Sequence, residues 1–307
     1  MKDYIKYFYE NYNEDRRLTS KSHMPEYLTT MRYIEKYLTP NSKILEIGAG
    51  TGRYSISLAD MGYSVDAVEL VPHNIEILKS KIKPTHNIRV YEGNACDLSF
   101  IDSNTYDIVL LLGPMYHLYN DEDKHKAISE AIRVAKTGGV IYSAYINNDT
   151  VMYKIFYTKK ILKQLDRGLI DENYHAYSSP NMVFELYRKP DIDNLMKDFE
   201  VERLHFVGVD MLSHLYNNKL NRLNKREFNE YMKFLSTICE REDMVGLSIH
   251  MLDIFKKIVG AAYLTTLKRA IRELPHNISA THRRGGYHPP AVVGGSPCPP
   301  VKLKGVT

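Results

Sequence analysis

The stretch Glu46-Ile-Gly-Ala-Gly-Thr-Gly52 sets an acid and three glycines, Gly48, Gly50 and Gly52, at alternate positions. Glycine permits a sharp backbone turn and the close approach of a ligand to the chain. A helix starting beyond such a turn offers N–H groups without intrahelical partners. The chemistry on offer is therefore the capture of a nucleotide-like molecule. A phosphate-binding loop is excluded, because no lysine stands in the turn. A dinucleotide-binding turn needs its third glycine at position 53, which is Arg53. What remains is an acid closing a strand before the glycines, or a tight turn that binds nothing. Two further residues invite chemistry. Glu69 stands about 20 residues on, where an acid can accept hydrogen bonds from a ribose diol. His117 has a pKa suited to proton removal at neutral pH; its structural alternative is a ring bonded to a backbone carbonyl.

Those residues need a scaffold, and the hydrophobic pattern supplies one. Ile44, Leu45 and Ile47 read as a strand buried on both faces; Tyr54, Ile56, Leu58, Ala59 and Met61 recur at helical spacing. Val65, Ala67 and Val68 form a second strand closed by Glu69. A helix over 71–82 leads to a third strand, Ile88–Tyr91, and the turn Gly93-Asn94-Ala95-Cys96-Asp97. A fourth strand, Tyr106–Leu112, runs into Gly113-Pro114-Met115-Tyr116-His117. Asp121–Ala135 is helical, Thr137-Gly-Gly139 stops it, and Val140–Ala144 is a fifth strand. Later elements are a helix over 151–165, a short strand within 182–187, a strand over 199–209, a helix over 225–241 and a last strand over 247–255. Ahead of all this, the aromatic rings of Tyr4, Phe8 and Tyr12 share one helical face. A second helix over 25–38 buries Leu28, Met31, Ile34, Tyr37 and Leu38, leaving Glu26 and Arg32 to solvent.

The Glu46–Gly52 pattern resembles the first motif of the class I S-adenosylmethionine-dependent methyltransferases, and the succession from 40 to 147 resembles that domain motif by motif. The Leu-Gly-Pro-Met-Tyr-His-Leu turn and the Tyr/Arg-rich leader are similar to a bacterial small-molecule-type group. The resemblance implies an α/β, three-layer Rossmann-like fold with a seven-stranded, mostly parallel sheet in the order 3-2-1-4-5-7-6. It implies a helical lid over 1–39, a methyltransferase domain over 40–257, and a substrate cap inserted over 148–190. It also implies S-adenosylmethionine as cofactor, S-adenosylhomocysteine as product, and in-line methyl transfer to a small-molecule acceptor. By residue, Gly48, Ala49, Gly50 and Gly52 admit the donor; Glu46 orders the turn or meets the donor's ammonium; Glu69 and Leu70 hold the ribose. Asn94, Ala95 and Asp97 bracket adenine, with Asn94 standing where the family has an acid. Leu112 and Gly113 flank the methionine part, Tyr116 orients the acceptor or packs, and His117 serves as an optional base. Arg16 and Arg17 are placed to meet a carboxylate.

Composition narrows the alternatives. Seven Lys/Arg and one acid lie beyond residue 257, leaving 34 basic and 36 acidic residues before it. A near-neutral body disfavours nucleic acid as partner. The Asn-Pro-Pro-Tyr-like signature of base-amine methyltransferases is replaced by Gly-Pro-Met-Tyr. An RNA or protein methyltransferase and a donor-binding regulatory module remain the rival readings. Cys96, Cys239 and Cys298 are widely separated and suggest neither disulfides nor zinc. No residue cluster in the sequence suggests a metal. The first residues lack an apolar signal core and no run is long enough to span a membrane, so a cytoplasmic monomer or homodimer is expected. Ala261–Leu274 reads as a short basic helix; from 275 on, six of the 13 prolines and no hydrophobic period follow, so 258–307 reads as a basic Pro/Gly-rich tail, disordered or not native to the domain.

Overall fold

The structure, a computed structural model, describes residues 2–10, 18–179 and 183–258. Tyr12, Arg16, Arg17 and all but the first residue of the basic tail lie outside the described residues. The elements, in chain order, are α1 (Lys2–Glu10), α2 (Met24–Glu35), β1 (Lys43–Ile47), α3 (Arg53–Asp60), β2 (Ser64–Glu69), α4 (Pro72–Ser80), β3 (Ile88–Glu92) and β4 (Tyr106–Leu111). Then come α5 (Asp121–Val134), β5 (Ala135–Asn147), α6 (Asn148–Tyr157), α7 (Ile161–Asp166), β6 (Leu186–Tyr187), α8 (Lys189–Met196), β7 (Val201–Gly208), α9 (Asn217–Leu220), α10 (Lys225–Ile238) and β8 (His250–Lys257).

The sheet order is β3-β2-β1-β4-β5-β8-β7, with the two-residue β6 paired to β5 beside this path. The expected order of seven strands holds once β6 is set aside. β1 to β5 are parallel, whereas β8 runs antiparallel to both β5 and β7. Alternation of side chains along each strand sends two sets of residues to opposite faces. Leu45, Ile47, Val109 and Leu111 meet Ala127, Ile128 and Ala131 of α5 on one face. Ile44, Ile108, Leu110 and Tyr142 meet Ile34 of α2, Leu58 of α3 and Leu235 of α10 on the other. The central strands are mostly apolar because both faces are covered, with Glu46 and Asp66 as buried exceptions.

Two element boundaries and one burial differ from the sequence expectation, each for a local reason. α5 ends at Val134, and Thr137-Gly-Gly139 lies inside β5, whose register on β4 shifts between Tyr106 and Ile108. There Gly138 takes φ +80°, so the glycines shape a strand irregularity rather than ending a helix. The helix expected over 151–165 is two, α6 and α7, broken at Lys159 with φ +56°. On α2 the buried face carries Glu26, Thr29, Thr30, Met31, Tyr33 and Ile34. Arg32 is exposed as expected, but Glu26 is buried, and its neighbour His250 explains why.

Among the described residues, no helix is long and apolar enough to cross a membrane.

Candidate active site

In an open parallel sheet, ligands bind beyond the carboxyl ends of strands where the winding reverses. Here that point lies between β1 and β4, since the chain builds toward β3 on one side and toward β5 on the other. The residues following both strands line one cavity of about 560 Å³. That volume is within the range of small-molecule sites.

The turn after β1 is held from below. The N–H groups of Gly48 and Ala49 both donate to the Val68 carbonyl, at 2.8 and 3.0 Å. Gly48, at φ +76°, lies so near Pro114 that a Cβ would come within 2.7 Å of the Pro114 ring. Only glycine lets the β1 and β4 turns approach this closely. Glu46 is buried at the end of β1 and accepts from the Ser55 N–H at 2.9 Å and from the Ser55 hydroxyl. Burial outweighs those hydrogen bonds and pushes its carboxyl up to about 8, with Glu69 adding repulsion. Glu69 is itself buried. Its Oε2 accepts from the Gly50 N–H at 2.7 Å and its Oε1 from the Val71 N–H at 2.9 Å. Burial raises its pKa too, opposed by these backbone donors. One acid thus ties the glycine turn to the start of α4.

Of the donor residues expected from sequence, Glu46, Gly48, Ala49, Gly50, Glu69, Leu70, Asn94, Ala95, Leu112 and Gly113 all line the cavity. Gly52 and Asp97 do not. Gly52, at φ +82°, faces Leu78, whose Cδ1 would lie 2.0 Å from an added Cβ, so it serves packing between α3 and α4. Asp97 folds back to accept from the Ser99 N–H at 3.1 Å. Of the pair Asn94 and Asp97, only Asn94 lines the cavity, and its Oδ1 accepts from the Cys96 N–H at 3.1 Å.

The sequence reading missed Asn74. It is buried in the cavity wall, and its Oδ1 has no hydrogen-bond partner. A buried acceptor without a donor carries a desolvation cost that a ligand's hydroxyl or amine would relieve. It stands beside Glu69, toward whose Oε1 its Nδ2 points at 3.5 Å. Its position two residues inside α4, after an acid-closed strand, was the only available signal.

His117 and Tyr116 sit in the single helical turn Pro114–His117 after β4, and both line the cavity. Nδ1 of His117 donates to the Val183 carbonyl at 2.8 Å, which leaves Nε2 to accept from the Tyr9 hydroxyl at 2.9 Å. Burial drops the imidazole to about 4, although the Val183 contact opposes this. The ring is neutral at pH 7 and already engaged at both nitrogens. Tyr116 is buried, and its carbonyl accepts from the Glu185 N–H at 2.6 Å. Phe8 and Tyr9 of α1 line the cavity, and Phe8 meets Phe184 edge to face at 5.6 Å. From the 148–190 insertion come Ile155, Gln164, Ile170, Tyr177 and Phe184. The β2–β3 side of the cavity is polar and backbone-rich; the β5 side is walled by this insertion.

Residues 44–139 match the family described as a methyltransferase domain. A demethylmenaquinone methyltransferase of Renibacterium salmoninarum is 28% identical over 161 residues, 51% of this chain and 63% of that protein. The chain spans about half to two thirds of the length of the curated relatives it matches. Among solved structures, an S-adenosylmethionine-dependent methyltransferase of Thermotoga maritima aligns over 82% of this chain and 99% of its own, with TM-score 0.51 and 17% identity. A protein of Pyrococcus horikoshii aligns over 82% and 99%, with TM-score 0.53 and 16% identity. These structural likenesses are likenesses of fold. The match over 44–139 is thus to a methyltransferase domain, and it falls on the Rossmann-like sheet described above.

Proposed function

We propose that this chain transfers a methyl group from S-adenosylmethionine to a small-molecule acceptor. The observation that carries the reading is the continuity of one cavity from the Gly48–Gly50 turn to the 148–190 insertion, across the β1/β4 reversal. The donor brings an already activated methyl group, so the protein's part is to bind, align and exclude water. Glu69 and Asn74 suit the ribose end, with carboxylate and amide oxygens. Asn94 and Ala95 suit the adenine. Glu46 lies under the turn, where a positively charged amine would draw its proton off. Leu112, Gly113 and Tyr116 follow β4, opposite the turn, and suit the methionine part and the acceptor approach. The insertion suits the role of substrate cap, and α1 that of a lid, because both contribute apolar rings to the same cavity. His117 is better suited to holding Tyr9 in place than to removing a proton, since its lone pair already accepts a hydrogen bond. The near-neutral body favours a small acceptor over RNA.

The test is a thermal melt of the full chain with S-adenosylhomocysteine, with NAD as control. A ligand at about 100 times its dissociation constant adds about 2.7 kcal/mol. A rise of several degrees with the nucleoside alone supports the donor site, after which radiolabelled donor and an acceptor library test transfer. Stabilisation by NAD in its place would overturn the reading. Binding with no turnover of any acceptor would favour the regulatory module.

A further inference from the structure

On the wall of the cavity away from the glycine turn, four side chains from three distant segments converge. Glu26 lies in the first turn of α2, Asp210 follows β7, His214 ends the single turn Met211–His214, and His250 opens β8. One ligand-type atom from each lies within 4.8 Å of every other. Asp210 is fully buried, and Glu26 and His250 are nearly so. His214 and His250 face the cavity.

The contacts separate the two oxygens of Asp210. Oδ1 accepts from the Ser248 hydroxyl at 2.6 Å and from the His250 N–H at 3.1 Å. These donors fix the plane of the carboxylate and turn Oδ2 inward. Oδ2 lies 2.6 Å from Nδ1 of His250 and 3.1 Å from Nε2 of His214. The second contact is not aligned as a hydrogen bond, and Nε2 of His214 is buried without such a partner. Nδ1 of His250 also faces Oε2 of Glu26 at 3.3 Å, so one nitrogen with one proton meets two carboxylates. Neighbouring ligands of one ion lie about 3.0 Å apart in an octahedron and about 3.4 Å apart in a tetrahedron, for bonds of about 2.1 Å. The 3.1 and 3.3 Å separations fall at those values. An anchored carboxylate behind the ligand atoms is also how metal sites hold their first ligands in place.

We propose that Glu26, Asp210, His214 and His250 form a binding site for a divalent first-row transition ion in the cavity wall. Two imidazoles with two carboxylates suit Zn²⁺, Mn²⁺ or Fe²⁺ and disfavour Mg²⁺ and Ca²⁺, which prefer oxygen alone. On binding, the ion takes the lone pairs of Nδ1 of His250 and Nε2 of His214, and the proton between His250 and Asp210 leaves to solvent. In octahedral coordination the four protein ligands would leave two positions, through which the ion could take a heteroatom of a bound molecule. That use by an acceptor rests on the transferase reading; the site itself does not.

The experiment uses the untagged full chain, stripped with a chelator and titrated with Zn²⁺ by calorimetry and with Co²⁺ by visible absorption. The wild type is expected to take one Co²⁺ whose spectrum shows mixed nitrogen and oxygen ligation. His214→Ala keeps the Ser248–Asp210 anchor and is expected to fold; it should weaken Zn²⁺ binding at least about tenfold. Glu26→Gln should weaken it as well. Failure of the stripped wild type to bind either ion overturns the proposal. So does unchanged binding in both variants, which would assign the ion to histidines elsewhere, such as His276, His282 or His288. The melt with S-adenosylhomocysteine, run on the same His214→Ala protein, separates this outcome from failure of the donor site: its shift should persist.

Discussion

The hydroxyl of Tyr9 donates to Nε2 of His117 across 108 residues of sequence, at 2.9 Å. The contact joins α1 to the turn after β4 over the cavity. It also sets the tautomer of His117, whose other nitrogen donates to Val183. Tyr9→Phe should therefore loosen α1 without unfolding the domain. The expected result is faster proteolysis near residue 10 and a rise of several-fold in the S-adenosylhomocysteine dissociation constant. Equal proteolysis and affinity in variant and wild type would remove α1 from any lid role.

The depressed pKa of His117 makes a prediction about acid stability. The unfolded imidazole takes a proton near pH 6.5, whereas the folded one resists it until about pH 4. Between those values the unfolded state binds more protons, so stability falls as pH falls. The loss attributable to this ring is up to about 3 kcal/mol. Denaturant titrations at pH 7 and pH 5 should show a smaller difference for His117→Gln than for the wild type.

Glu46 has the opposite sign. Its folded carboxyl titrates near 8 against an ordinary value of 4.5. The folded state binds the extra proton, so its contribution is full below about 4.5 and is lost as pH rises through 8. A donor ammonium beside the turn would favour the ionised form, and binding would then release a proton. S-adenosylhomocysteine affinity should rise with pH between 6 and 8, by at most about tenfold per unit, and stay flat in Glu46→Gln. Calorimetry in two buffers of different ionisation enthalpy would detect the released proton directly.

Asn74 offers the plainest test of the donor end. Its unpartnered Oδ1 gains a hydrogen bond only when a ligand supplies the donor. Asn74→Ala should weaken S-adenosylhomocysteine by about five- to tenfold, the value of about one hydrogen bond. The unliganded melting temperature should change little or rise. A lowered melt with unchanged affinity would make Asn74 a structural residue.

Gly52→Ala tests packing instead. The substitution forces a Cβ onto φ +82° and into Leu78, itself fully buried. A stability loss of about 2 kcal/mol or more is expected. Gly62→Ala, at φ +90° but with open space around its Cα, should lose only the backbone part.

The sheet was legible because β1, β2 and β4 are buried on both faces and read as short, mostly apolar runs. The donor end was legible for a related reason: its residues follow those strands directly in sequence. Asn74 escaped because its role depends on a wall built by β2 and α4 together. The Glu26–Asp210–His214–His250 cluster escaped more completely, since its members are separated by up to 224 residues and have no spacing to read. Glu26 even looked like an outward residue, since helical periodicity identifies an apolar stripe and says nothing about a buried acid beside it. Gly138 and Gly139 misled in another way, for a glycine pair reads alike as a helix stop and as a strand irregularity.

The 148–190 segment is tied to the sheet at its far end by backbone pairing and by side chains, with Lys124 on Glu185 Oε1 at 2.6 Å and the Tyr187 hydroxyl donating to the Met115 carbonyl at 3.1 Å. Leu186 and Tyr187 pair with Ile146 and Asn147, and the Glu185 N–H reaches the Tyr116 carbonyl. Backbone bonds are indifferent to which side chains precede them. These anchors to the sheet and to the turn after β4 lie at 185–187, outside the stretch from α6 to residue 179. On the transferase reading, the wall offered to an acceptor is therefore separate in the chain from the frame that would hold the donor.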